Sequence, residues 1–137
     1  MKKIFFIFFL LSISQINSHE FNPAHLVINE IDQDKNIYDA TWMYPYKNIG
    51  RRGEVVFPNN CIAVSKDLFY QGKYLTEKIS LTCSKSLKGS FLEIVNLSVL
   101  TDALITVNFS DDTYEVLVNV QKNKVKINEN NLRKHLQ

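Results

Sequence analysis

At 137 residues, 45% of them hydrophobic, the chain has the size of one ordinary domain, which excludes a multidomain enzyme. Charged residues make up 22% and aromatic residues 12%, with 4 Gly and 3 Pro, a composition that is neither disordered nor fibrous. Setting aside Lys2 and Lys3 leaves 14 of the 16 basic side chains against 14 acidic ones, and a body without net charge lacks the basic field of a nucleic-acid binder.

The chain opens with Lys2 and Lys3, an unbroken apolar run from Ile4 to Leu11, and then Ser12, Ser14 and Ser18. This is the pattern of a secretory signal peptide. A membrane anchor would need about 20 apolar residues, and Gln15 and Asn17 arrive too early for that. Cleavage is expected after Ser18, with a cut after Ser14 competing, so that residues 1–18 are removed and His19 becomes the mature N-terminus. No later stretch approaches spanning length, and a soluble periplasmic or secreted protein is expected.

In the body the hydrophobic period is two. A strand is expected over His25 to Ile31, closed by the polar connection Asp32-Gln33-Asp34-Lys35-Asn36. Tyr38, Ala40 and Trp42 then alternate with Asp39 and Thr41, which turns one apolar face inward. Pro45, Gly50, Gly53 and Pro58 break the next stretch into loops around one short strand near Val55 to Phe57. A further short strand is expected around Cys61 to Val64. Ile79, Leu81 and Cys83 alternate with polar neighbours, as do Leu92 and Ile94. Ile105, Val107 and Phe109, the interruption Ser110-Asp111-Asp112, and Tyr114, Val116, Val118 and Val120 read as a hairpin. Residues 128–137 form a polar tail.

Cys61 and Cys83 are the two cysteines, and an even pair in an exported chain is expected to form a disulfide. Closing a loop of this length stabilises a fold by about 3 kcal/mol in the chain-entropy account. Together these elements predict an all-β domain over residues 19–127: an immunoglobulin-like two-sheet β-sandwich of seven or eight short strands with one disulfide.

Candidate chemistry is sparse. A histidine at a mature N-terminus offers an amine and a ring nitrogen together, so His19, helped by Glu20 and by His25 across a turn at Asn22-Pro23, is the candidate site for copper or nickel. The competing reading makes His19 a terminal residue and His25 a strand-surface side chain; His135 falls in the tail. Arg51 and Arg52 could bind an anion or a lipid headgroup, but a solvated turn accounts for them. Asp32, Asp34, Asp111 and Asp112 fall where turns favour Asp, without the bidentate Glu of a calcium loop. Asn96-Leu97-Ser98 and Asn108-Phe109-Ser110 match the glycosylation tripeptide, which matters only in a eukaryotic host. No G-x-S-x-G is present and no histidine lies between 25 and 135, so triad catalysis is not expected. Trp42, on a central alternating strand near the disulfide, reads as core. Tyr44, Tyr46, Phe69, Tyr70 and Tyr74 read as aromatic loop residues open to a partner.

Five pieces carry a family resemblance: H-E-F-N-P-A-H-L-V-I-N-E-I from His19, I-Y-D-A-T-W followed by Pro45, V-F-P-N-N-C ending at Cys61, L-K-G-S-F-L-E-I-V-N-L after Cys83, and T-D-A-L-I-T-V-N-F from Thr101. In this order and spacing the chain resembles the extracytoplasmic N-terminal region of HupE/UreJ-like membrane proteins, over nearly the whole mature sequence. That family is described as hydrogenase or urease accessory proteins, or nickel and cobalt permeases, with a multi-helix membrane region after this domain. The chain ends at Gln137 before any such helix, so the transport function is not carried over, and the resemblance transfers no catalytic residue. It implies a non-enzymatic extracytoplasmic module that associates with a membrane protein partner. The alternative is a soluble periplasmic metal binder that uses His19.

Overall fold

The computed structural model describes residues 22–46 and 51–127, so the expected signal peptide, His19 and the tail 128–137 lie outside the described residues. Nine strands follow in order: β1 (Ala24–Asp32), β2 (Ile37–Pro45), β3 (Glu54–Val56), β4 (Cys61–Gln71), β5 (Tyr74–Cys83), β6 (Phe91–Val95), β7 (Ala103–Asn108), β8 (Thr113–Val118) and β9 (Lys124–Lys126). They form a six-stranded sheet in the order β4-β5-β2-β1-β7-β8 and a three-stranded sheet in the order β3-β6-β9. The all-β, two-sheet architecture expected from the alternation is therefore the one the chain adopts.

Side chains at every second position build one core from both sheets. Ala24, Leu26 and Ile28 of β1 and Tyr38, Ala40, Trp42 and Tyr44 of β2 meet Leu92 and Ile94 of β6 and Val125 of β9, all buried. The two largest core side chains with polar atoms satisfy them on backbone, as burial demands. The Trp42 indole Nε1–H donates to the Gly53 carbonyl at 2.8 Å, and the Tyr38 hydroxyl accepts from the Leu87 N–H at 3.1 Å. Cys61 and Cys83 are bonded and sit opposite one another where β4 pairs with β5.

Several expectations change. Among the described residues there are nine strands, one more than the upper expectation, because Lys124-Val125-Lys126 holds a single apolar residue and gives no alternation to see. The short strand expected over Cys61 to Val64 runs on for 11 residues as β4. Its pairing with β5 shifts register between Ser65 and Asp67, a bulge at Lys66 that puts the alternation out of phase and conceals the second half. Val120 lies beyond the end of β8 at Val118. β1 also pairs parallel with β7, a contact between segments far apart in sequence that no local pattern encodes.

Candidate interaction surface

Among the described residues β4 is paired on one side only, by β5, and forms an edge of the large sheet. The small sheet does not cover it: of its 11 residues, only Cys61 and Phe69 are even partly shielded. The apolar positions Ile62, Val64, Leu68 and Tyr70 are exposed by 70%, 46%, 53% and 71%. They lie on both faces of the sheet. Leu68 and Tyr70 share the core-facing side, in register through Glu77 and Leu75 with Trp42 and Tyr44, whereas Ile62 and Val64 face outward. The strand is held to β5 at one end by the disulfide and at the other by the two-residue turn Gly72-Lys73. Gly72 has a φ of 59°, the left-handed conformation that the first position of a type II′ hairpin turn requires.

Beneath this overhang, between β3 and the β4–β5 pair, lies a cleft of about 280 Å³ lined by Trp42, Arg52, Val55, Phe57, Ser65 and Glu77 among others. The Arg52 guanidinium bonds Glu77 at 3.2 Å through Nη2, while its Nη1 is buried with no partner among the described residues. Arg52 of the Gly-Arg-Arg-Gly turn is thus tied down, and Arg51 stays exposed.

Comparison with family models, with curated proteins and with solved structures finds no match.

The five aromatic residues expected in loops are placed as follows. Tyr44 is a correction: it ends β2 inside the core, 3% exposed and tilted against Trp42, and is not available at the surface. Tyr46 follows β2 and meets Tyr70 edge to face at 5.3 Å between ring centroids. Phe69 and Tyr70 lie on β4, and Tyr74 opens β5, so with Tyr44 four of the five belong to strands. Tyr74 donates to the Pro23 carbonyl at 3.1 Å and packs edge to face on His25 at 5.9 Å. Sequence reading missed Ile62, Val64 and Leu68, the aliphatic part of this edge. Their exposure depends on which strand ends a sheet, and nothing local in the sequence encodes that.

His25 lies on the outer face of the large sheet, on the side away from the core. There it pairs across to Met43 on β2 and to Leu104 on β7. Its expected partner His19 falls outside the described residues, and among the described residues no three His, Cys, Asp or Glu side chains gather as a metal group. The aspartates act in turns. Asp32 Oδ1 accepts the N–H groups of Asp34 and Lys35, and Asp112 Oδ1 that of Thr113. Asp111 takes Lys88 Nζ on both oxygens, at 2.8 and 2.9 Å, and that hydrogen bond holds its carboxyl below the usual carboxylate range. Burial of Tyr114 raises its phenol above the ordinary value. No helix among the described residues is long and apolar enough to cross a membrane.

Proposed function

We propose that this protein is a non-enzymatic extracytoplasmic module whose free β4 edge takes up an extended segment of a membrane protein partner. The observation that carries the reading is the edge itself: 11 residues with backbone that no other described strand pairs on one side, and large apolar side chains exposed on both faces. Such an edge can add a partner strand, with backbone bonds supplying affinity and alternate side chains supplying selectivity. The bulge at Lys66, followed by Asp67, breaks the edge in the middle and places charge there, which disfavours indiscriminate pairing. A selective partner then engages one of the two halves. The resemblance to the soluble region of HupE/UreJ-like proteins supports a partner in the membrane, and the disulfide suits an oxidising, extracytoplasmic compartment.

Crosslinking in the native envelope tests this. A membrane protein adduct is expected with the natural sequence, and it should be lost in a Leu68→Lys, Tyr70→Lys variant that still folds. A chain that stays free of adducts contradicts the proposal.

One observation favours the second reading, a periplasmic copper or nickel binder. Met43 stands opposite His25 across β1 and β2, where facing side chains are about 5 Å apart at Cβ, so a thioether and an imidazole share one patch. His19 would complete that site. A copper titration in which adding one residue ahead of His19 leaves affinity unchanged counts against it.

A further inference from the structure

The free side of β4 offers its backbone groups in a definite pattern. In an antiparallel pair, residues that exchange hydrogen bonds alternate with residues whose N–H and C=O turn away from the neighbouring strand. Gln71 and Tyr74 flank the two-residue turn, the position of a pair that exchanges bonds, so Tyr70 and Leu68 turn theirs away from β5. The Leu68 N–H accordingly donates to the Asp67 carboxylate, at 2.9 Å. At the other end Cys61 and Cys83 lie 3.9 Å apart at Cα, the close spacing of a pair without such bonds, so counting by twos from Cys61 makes Ala63 and Ser65 face outward too. The bulge at Lys66 lies between the two sets and moves the outward positions from odd to even numbers.

A second β4 laid antiparallel along the first matches this pattern. In a two-fold arrangement, Ser65 and Ala63 of each copy stand opposite Leu68 and Tyr70 of the other, so all four outward-facing residues of both strands enter pairs that exchange backbone bonds. The side-chain faces agree as well. These four lie on the core side of the sheet, while Val64 comes opposite Phe69 and Ile62 opposite Gln71 on the outer side. Both strands carry their extra residue at the same level, which keeps the rows in step through the centre. There Lys66 of each copy comes opposite Asp67 of the other.

Lys66 and Asp67 are the only charged residues of β4, and both are exposed. Lys78, across from Asp67 on β5, bonds the Thr41 hydroxyl at 3.2 Å. The charge that guards the edge against other strands therefore attracts a second copy, because opposite charges facing across strands favour pairing and like charges oppose it. We infer that the chain forms a two-fold dimer through β4 in this register, joining two large sheets into one. The dimer draws on the same open edge as the proposed function and covers it, so a membrane partner has to displace the second copy. It does not require that partner in order to form.

Sedimentation velocity of the purified exported protein, free of membrane, is the test. A concentration-dependent equilibrium between monomer and dimer is expected. Lys66→Asp and Asp67→Lys each set like charges against one another across the two-fold axis, and each should weaken the dimer roughly tenfold. Mixing the two variants should restore the natural affinity as a heterodimer, and so should the double swap Lys66→Asp, Asp67→Lys in one chain. Both side chains are exposed, so every variant should keep the natural circular dichroism spectrum. A protein still monomeric at about 1 mM overturns the inference, as does a dimer indifferent to the charge variants. Crosslinking to a membrane protein in the envelope tests the proposed function separately and is untouched by either result.

Discussion

The Trp42 indole reaches across the core to donate its N–H to the Gly53 carbonyl at 2.8 Å, tying the large sheet to the segment that begins the small one. Few groups in the core do so much with a single bond. Removing it leaves a buried carbonyl without a donor, which costs more than the bond is worth when formed. Trp42→Phe should therefore lower stability by about 2–4 kcal/mol, the cavity left by the smaller ring included. Urea unfolding followed by circular dichroism reads this directly.

Gly53 is constrained for a second reason. A Cβ at this position would lie 3.1 Å from Tyr44 Cε2 and 3.4 Å from Leu97 Cδ2. Gly53→Ala should overpack this corner and cost about 1–3 kcal/mol. The double variant with Trp42→Phe should fall short of the sum, since the two changes act on one contact.

The disulfide predicts a graded loss along β4. Replacing Cys61 and Cys83 with Ala should cost about 3 kcal/mol. Hydrogen exchange should rise most over Ile62 to Ser65, next to the lost bond, and least near the Gly72 turn, which still holds the other end. Equal exchange along the whole strand would show that the bond does not secure this edge.

Much of this fold is legible in the sequence because half-buried antiparallel strands have a clean period of two. The alternations around Tyr38, Leu81 and Ile105 mark β2, β5 and β7, and the Ser110-Asp111-Asp112 interruption marks the turn into β8. The interaction surface is less legible. The bulge at Lys66 hides the continuation of β4, and the position of a strand within its sheet depends on long-range pairing. Tyr44 shows the same limit from the other direction: an aromatic residue one position before a proline looks like a loop residue, yet the strand continues far enough to bury it.

Lys88 and Asp111 give a pH-dependent test. Asp111 titrates below the ordinary carboxylate range because Lys88 hydrogen-bonds it. A group whose folded value is depressed contributes stability above its unfolded value and loses it as pH falls through the folded one. The melting temperature of Lys88→Gln should thus lie slightly below that of the natural protein at neutral pH and converge with it in acid. Carboxyl carbon shifts should show Asp111 titrating at higher pH once Lys88 is replaced. The exposure of the pair, with side chains open by 36% and 62%, keeps the effect small.

Proteins that share the body of this sandwich but not its exposed β4 edge should lack the partner. The most direct measurement of that claim is photocrosslinking in the native envelope from single positions on the two edges of the large sheet. Photoreactive side chains at Ile62, Leu68 and Tyr70 on β4 are compared with one at Leu117 on β8, which is 52% exposed at the opposite edge. Adducts to one membrane protein from the β4 positions and none from Leu117 are the predicted result. Absence of protein adducts along β4, or adducts of equal yield from Leu117, would contradict the account.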